Sequence, residues 1–296
     1  MTIPEKATVL NQRAARLEKR GRRRDAVSLY KKAIALAPDW PIPLYNLGLL
    51  FKRQRRWKPS LRYNRLATLM DPDNEAAWWN LGIAATALGR WRLARRAWRG
   101  FGIAMPRGEG PIDFPCGVCP IRLHPDGNAE VVWAHRLDPA RAVLVSIPFP
   151  ESGYRWGDMV LNDGAPNGYR TYKGEQVAVL DALELLEPSP FGTYIARVQL
   201  PAEDKHAEDL AHLAAELEGS AEDWTTSVRI LCRACSEGRA HETHDTEAAP
   251  PDGVHLIGIA ARDREHATKI LHIWESGRSG VLVESLEDAL EPGSND

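Results

Sequence analysis

Three prolines recur at a fixed interval along the first third of the chain. Pro38, Pro72 and Pro106 are spaced by 34 residues, and each follows a segment with the apolar spacing of a helix. Because proline cannot continue an α-helix, each of them ends one unit and sets the start of the next. A fixed period of this length is typical of proteins that are built from stacked supersecondary units.

Aligning the three units on these prolines gives columns of large residues and columns of small ones. Large residues at three- and four-residue steps form one helix face, and small residues allow the two helices of a unit to approach closely. Gly21 and Gly89 fall at the turn between the helices, where Arg55 stands in the middle unit. One hairpin cannot bury its apolar face alone, so the three are expected to stack. The columns are Leu10, Leu44 and Trp78; Ala14, Gly48 and Gly82; Leu17, Phe51 and Ala85; Ala26, Ser60 and Ala94; Tyr30, Asn64 and Trp98; and Ala33, Ala67 and Phe101.

Two short segments carry a resemblance to a known family. LYNLG at residues 44–48 and WWNLG at residues 78–82 resemble the first-helix signature of the tetratricopeptide repeat (TPR) family. The resemblance implies an α-solenoid of three helical hairpins, whose first helices line a concave groove. The domain would cover residues 1–107, with repeats at 7–40, 41–74 and 75–106.

The same resemblance implies which side chains face the groove. The groove would be apolar and aromatic at its centre with a basic edge, which suits a partner protein segment that is acidic or has an apolar anchor. Leu49 and Ile83 stand where relatives that clamp a terminal carboxylate need polar groups, so that mode is not expected. The predicted partner-binding residues are Asn11, Lys19, Tyr45, Leu49, Lys52, Arg53, Trp79 and Ile83.

Charge is distributed unevenly along the chain. The formal net charge is −2, but residues 1–110 hold 23 Lys and Arg and 8 Asp and Glu, a net of +15, which leaves −17 for the rest. This asymmetry points to an acidic partner for the first part, or to contact with the chain's own acidic part. Basic runs such as KRQRRWK at residues 52–58 make nucleic-acid binding an alternative. It is disfavoured because Trp57, Trp91 and Trp98 fall at columns that the repeats bury.

Beyond Pro106 the pattern changes to strands. RGEGPIDFPCGVCP reads as a linker or cysteine knuckle, and the short runs that follow predict a small, partly open β-barrel over residues 108–190, resembling SH3-like barrels. Residues 191–296 show the order β-α-β-β-α-β, which predicts a ferredoxin-like α+β sandwich with a Cys/His insertion. The expected fold class is therefore multidomain, α followed by α/β. The barrel and tail also loosely resemble a bacterial family of uncharacterised function, on EVVWAHRL and IPFPESGYRWGDMVLNDG.

The four cysteines form two Cys-x-x-Cys pairs, a spacing that suits a structural Zn²⁺ site. Free thiols, or a metal-dependent or redox enzyme centred on these pairs, are the alternatives. HETH at residues 241–244 is one residue short of the metalloprotease H-E-x-x-H spacing. The two candidate ligand sets are Cys116, Cys119, Cys232 and Cys235, or Cys232, Cys235, His241 and His244.

No catalytic residue is predicted, because the sequence lacks a glycine-rich phosphate loop, a G-x-S-x-G elbow and a kinase signature. It also lacks a run of about 18 apolar residues and an N-terminal secretory signal, so the expected location is the cytoplasm. The favoured function is a non-enzymatic adaptor or scaffold that binds a partner segment in the helical groove.

Overall fold

The computed structural model divides the chain into two compact units. The first is helical and the second is mostly β-sheet. Among the helices of the described residues, none is long and apolar enough to cross a membrane. The described residues are 2–125, 127, 129–172, 174–201, 206–225 and 253–294. The first unit is Met1–Phe114 with Asp138–Ala140, and the second is Pro115–Leu137 with Arg141–Asp296.

The first unit contains three antiparallel helical hairpins in sequence, and neighbouring hairpins pack on one another. This arrangement confirms the TPR-like architecture predicted for this part of the chain. The helices are α1 (Ile3–Lys19), α2 (Arg23–Leu36), α3 (Pro41–Arg53), α4 (Trp57–Met70), α5 (Glu75–Ala87) and α6 (Trp91–Gly100).

The turns inside the hairpins share one backbone conformation. Gly21 and Gly89 have φ of +74° and +60°, and Arg55 of the middle hairpin has φ of +54°. A side chain at this left-handed position costs roughly 1–2 kcal/mol. The middle hairpin therefore keeps the same turn in spite of its arginine, at some cost in stability.

Each hairpin places a small residue of its first helix against a larger residue of its second. A Cβ added to Gly82 would lie 2.5 Å from the Trp98 ring, and one added to Gly48 would lie 2.7 Å from the Asn64 amide. In the first hairpin, Ala14 and Tyr30 share one buried cluster. The small and large columns of the sequence are therefore the two sides of one packing contact.

The first part of the second unit is a closed five-stranded barrel, followed around its circumference in the order β1-β2-β3-β4-β7. The sequence predicts a partly open barrel, and this prediction is wrong. Strand β1 pairs in parallel with β7, with Ile121 opposite Leu180, and this pairing closes the barrel. The hairpin of β5 and β6 forms a separate two-stranded sheet. The strands are β1 (Val118–Leu123), β2 (Glu130–Asp138), β3 (Arg141–Leu144), β4 (Met159–Asn162), β5 (Tyr169–Tyr172), β6 (Glu175–Ala178) and β7 (Leu180–Glu187).

The second part of this unit is a four-stranded antiparallel sheet of order β11-β8-β10-β9. Helices α7 and α8 cover one face of it, where Leu210 of α7 and Trp274 of α8 share a core cluster with Val198 and Ile259 of the sheet. The elements are β8 (Gly192–Gln199), α7 (His206–Glu216), β9 (Ser220–Asp223), β10 (Val254–Ala261), α8 (Arg264–Ser276) and β11 (Leu282–Leu290).

Trp224 joins the barrel and the four-stranded sheet within the second unit. Its Nε1 donates a hydrogen bond to the carbonyl oxygen of Ile147 at 3.1 Å, and its ring meets Phe149 edge-to-face at 5.0 Å. A Cβ on Gly258 would lie 2.3 Å from the Trp224 ring, so glycine makes room for the indole. The barrel and the sheet thus share one compact unit, and the domain boundary near residue 190 stays a prediction.

Candidate protein-binding site

The part of the predicted groove that remains open lies on α3. Tyr45 and Leu49 are one helical turn apart, so they share a face, and both are half-buried. Arg53, one turn further, is exposed, as is Lys19 at the equivalent position of the first hairpin. Four of the eight predicted residues, two apolar or aromatic and two cationic, therefore remain accessible on the first helices of the first two hairpins.

Polar side chains bridge the first helices of neighbouring hairpins. Asn46 Nδ2 donates to Asn11 Oδ1 at 3.1 Å, and Arg53 Nη1 donates to Glu18 Oε1 at 2.7 Å, so both bridges join α1 to α3. Glu18 also accepts a hydrogen bond from the Tyr30 hydroxyl, and burial together with this carboxylate raises the pKa of the Tyr30 phenol. These contacts fix the spacing of the helices that line the groove. Sequence reasoning missed Asn46, although it lies on one of the first helices.

Two of the predicted groove residues are buried and already bonded inside the helical unit. The Lys52 ammonium donates to Asn80 Oδ1 at 2.9 Å, which joins α3 to α5. Asn11 is buried as well and accepts from Asn46. The prediction that Lys52 forms a basic groove edge is wrong, because a buried cation must be satisfied within the fold. Both residues support the stack rather than face a partner.

The groove does not extend along α5. Ile83 is fully buried, and so is every residue from Asn80 to Thr86. The assignment of Ile83 to an open groove is therefore wrong. A helix that is apolar on all sides is enclosed, and the segment EAAWWNLGIAATA has no polar stripe that could face water. That absence of a stripe is the sequence signal that could have revealed the burial.

Trp79 belongs largely to the core of the third hairpin. Its ring meets Trp98 at 5.0 Å and Phe101 at 4.6 Å, both edge-to-face, and it is only half-buried overall. Aromatic pairs in this geometry stabilise a core beyond their buried area. Substitution of Trp79 would therefore disturb packing as well as any surface contact.

The segment that follows α6 packs against that helix and is not a free linker. The guanidinium group of Arg95, which is only 5% exposed, donates to the carbonyl oxygens of Pro106, Gly110 and Pro111 at 3.2, 2.6 and 3.1 Å. Ile112, just beyond, is buried. This clasp makes residues 106–112 part of the helical unit, which the glycines and prolines of the sequence did not suggest.

The first cysteine pair lies at the start of the barrel. Cys119 points into the barrel core with Ile121 and Leu123, and burial raises the pKa of its thiol to about 11. Cys116 is half-buried, and its backbone N–H donates to the carbonyl oxygen of Arg136. A raised pKa disfavours the thiolate that a metal site or a redox reaction needs.

The zinc hypothesis is not tested by the structure. In the described part of the chain there is no group of three or more His, Cys, Asp or Glu residues that could hold a metal ion. The remaining predicted ligands, Cys232, Cys235, His241 and His244, lie outside the described residues.

The tryptophans of the basic runs lie at repeat positions where burial is expected. Trp57 and Trp98 are buried, and Trp91 is half-buried. Base stacking on single-stranded nucleic acid needs exposed aromatic faces. The burial of Trp57 and Trp98 therefore counts against a stacking surface on this unit.

Comparison with known proteins gives partial matches to solved structures. No family model matches the chain, and no curated protein does. The chain is similar to the second TPR of Spaghetti (RPAP3) bound to the HSP90 peptide SRMEEVD, with 19% identity over 33% of this chain and 91% of that one, at a TM-score of 0.32. It is similar to the Sgt2 TPR domain from Aspergillus fumigatus, with 25% identity over 32% and 63%, at 0.30. It is similar to the Arabidopsis OM64 TPR domain, with 22% identity over 33% and 81%, at 0.31. The TPR-like description of the first unit rests on its own period and hairpins.

Proposed function

We propose that this chain is a non-catalytic adaptor whose helical unit binds a segment of a partner protein. The observation that carries this proposal is the open face of α3, where Tyr45 and Leu49 remain half-exposed beside Arg53. Tyrosine offers a large, rigid contact area with a polar end, and such residues dominate binding energy at protein interfaces. The stacked hairpins hold this face rigid, so little ordering is needed on binding.

The enclosed α5 limits the proposed site to the first two hairpins. A partner segment would place an apolar side chain against Tyr45 and Leu49 and an acidic side chain near Lys19 and Arg53. The Arg53–Glu18 ion pair does not prevent this, because the Arg53 side chain is 60% exposed. An acidic group of the partner would then share the guanidinium fork with Glu18.

We also propose that the four-stranded sheet of the second unit is a ferredoxin-like sandwich. Its strand order β11-β8-β10-β9 and its two helices on one face support this assignment. A fold of this kind hosts many unrelated functions, so it does not by itself define a role for the unit.

Affinity capture from native lysate, with identification by mass spectrometry, tests the adaptor proposal. The double variant Tyr45→Ala with Leu49→Ala should lose the captured partner, while its far-UV circular dichroism stays that of the parent chain. Tyr169→Ala is the matched control, because it removes an aromatic that is 61% exposed in the other unit. Undiminished capture by the double variant would show that α3 is not the binding face.

Elemental analysis of the purified full chain tests the zinc hypothesis separately. Because Cys119 lies in the barrel core, we propose Cys232, Cys235, His241 and His244 as the better of the two ligand sets. Zinc should then be retained in Cys119→Ala and lost in Cys232→Ala. Loss of zinc in both variants would favour the four-cysteine set instead, and a metal-free, redox-active dithiol would favour the enzyme alternative.

A further inference from the structure

A second surface of the helical unit has the features of a binding site and lies outside the proposed groove. A cleft of 780 Å³ opens between α4 and the turn that leads from α5 into α6. Ligand pockets commonly have volumes of roughly 300–1,000 Å³. Four exposed cations line it, namely Lys58, Arg65, Arg90 and Arg92. Like charges this close repel one another, so the cleft favours an anionic occupant.

The start of α6 adds partial positive charge to this cleft. Arg90 is the N-cap residue, no side chain among the described residues caps the helix, and its first turn carries no acidic residue. A helix N-terminus is a centre of partial positive charge, so a cation there is unfavourable and an anion is favourable. By contrast, Asn74 caps α5 and Glu75 lies in the first turn of that helix. Arg22 and Arg56 are the N-cap residues of α2 and α4, also without a side-chain cap, so this feature belongs to the repeat, and the cleft is distinguished by the four cations that line it.

One carboxylate of the chain already occupies the cleft. Glu109 lines it and forms an ion pair with Arg92, and both side chains are 74% exposed. The neighbouring backbone is fixed, because Arg95 binds the carbonyl oxygens of Pro106 and Gly110. A single carboxylate on a fixed segment thus lies at this surface, and it is exposed enough to be displaced.

The inner surface of the cleft is apolar. Leu61, Leu88 and Trp91 line it beneath the cations, and all three are half-buried. A polyanion that offers only phosphates would leave this apolar surface unused. A protein segment that combines acidic residues with an apolar side chain would satisfy both parts of the cleft, so the observations favour a peptide over a nucleic acid.

We propose that this cleft is a second protein-binding site, which takes an acidic segment carrying at least one apolar side chain. The guanidinium groups of Arg90 and Arg92 bind its carboxylates, and Leu61, Leu88 and Trp91 receive its apolar residue. Glu109 acts as a resident competitor that the incoming acid displaces. The site lies on the second helices, and it does not depend on the proposed groove of α3.

Fluorescence anisotropy with the full chain tests this proposal. The probe is a short fluorescein-labelled peptide of Glu and Asp with one central Leu. Lys58→Glu with Arg90→Glu should weaken binding about tenfold or more, since close charge pairs at an interface couple strongly. Glu109→Gln should tighten binding about threefold, because it removes the competing carboxylate. Lys31→Glu with Lys32→Glu is the matched control, since both lysines are exposed on α2 and the change in net charge is the same.

Each outcome of this experiment decides the proposal. Full affinity in the control and in Tyr45→Ala, with loss in the cleft variant, supports a cleft site that is separate from the groove. Equal weakening in the cleft and control variants would show attraction to net charge alone and overturn it. Tighter binding of oligothymidylate, with displacement of the peptide, would also overturn it in favour of a nucleic-acid surface. Circular dichroism of each variant confirms that the helices are retained.

Discussion

The second and third hairpins are built on the same 34-residue pattern, yet they fill it with different chemistry. In the third, Gly82 receives the fully buried indole of Trp98. In the second, Gly48 receives the Asn64 amide, and the Ser60 hydroxyl donates to the Gly48 carbonyl oxygen at 3.0 Å. The comparison teaches that a repeat column prescribes a volume and a distance between backbones, and that either apolar or hydrogen-bonded side chains can satisfy it.

The two hairpins also differ in how their first helices meet solvent. Leu49 of α3 is half-buried, whereas Ile83, which stands 34 residues later at the equivalent position of α5, is fully buried. The repeat places both side chains at the same point of the backbone. Their exposure depends instead on what packs around each helix, and that information lies outside the repeat.

The largest predicted difference in the free energy of unfolding is between variants at this pair of equivalent positions, Leu49 and Ile83. Ile83→Asp should destabilise the helical unit by roughly 5 kcal/mol, because it leaves an unpaired charge in an enclosed site. Leu49→Asp should cost about 1 kcal/mol, since its carboxylate can reach water. Urea denaturation followed by circular dichroism measures both. Similar costs for the two variants would contradict the enclosure of α5.

Substitutions of Trp98 and Asn64, the residues that face these glycines from the second helices, should give the next largest difference in the free energy of unfolding. Trp98→Ala should cost about 4 kcal/mol through lost burial and a cavity. Asn64→Ala should cost about 1 kcal/mol. Its amide loses a hydrogen bond to the Ser60 carbonyl oxygen, but its own Oδ1, which has no hydrogen-bond partner within the described residues, is removed as well. Thermal unfolding of the two variants measures both losses of stability. A loss for Asn64→Ala as large as that for Trp98→Ala would count against the polar packing of the middle hairpin.

The glycines opposite these residues should respond less strongly. Gly82→Ala should cost about 2 kcal/mol, because the added methyl group meets a rigid indole ring that has no room to move. Gly48→Ala should cost about half as much, since the shorter Asn64 side chain can rotate away. The midpoint of urea unfolding measures the difference. If Gly48→Ala proved the more harmful, the Asn64 site would have to be the more rigid of the two.

The turns should show the smallest effect, with opposite signs in the two hairpins. Arg55→Gly should stabilise the helical unit by about 1 kcal/mol, since glycine adopts the left-handed conformation without strain. Gly89→Ala should destabilise it by a similar amount. Both turns are exposed, so packing should not obscure the result. A shift of the melting temperature in the same direction for both variants would contradict the shared turn geometry.

The helical unit could be predicted from sequence because its contacts are local and periodic. The prolines, the small and large columns and the turn positions all report on neighbours that are close in the chain. Bridges such as Lys52–Asn80 were not predicted, since polar pairs between hairpins leave no periodic signal. The candidate site was therefore only half predicted: Tyr45 and Leu49 are open, while Lys52 and Ile83 are not.

The barrel was harder to predict because its closure depends on distant residues. The first half of β1 lies in the segment RGEGPIDFPCGVCP, which the sequence predicts to be a linker or knuckle because Gly117 and Pro120 suggest a turn. In the structure Cys119, Ile121 and Leu123 alternate into the core, which is a strand pattern hidden by one proline. In the four-stranded sheet, β10 and α8 carry clear periodicity, because β10 is the apolar run VHLIGIAA and α8 is the amphipathic segment REHATKILHIWES.

The parallel pairing of β1 with β7 has a consequence for how the chain folds during synthesis. Ile121 and Leu180 are about sixty residues apart, and contacts of such separation form slowly because a long loop must close first. The helical hairpins can fold as they leave the ribosome, whereas β1 stays without its parallel neighbour until β7 has been made. Nascent chains that stall before Leu180 would therefore expose an unpaired strand edge, and these are the fragments most prone to aggregate or to need a chaperone.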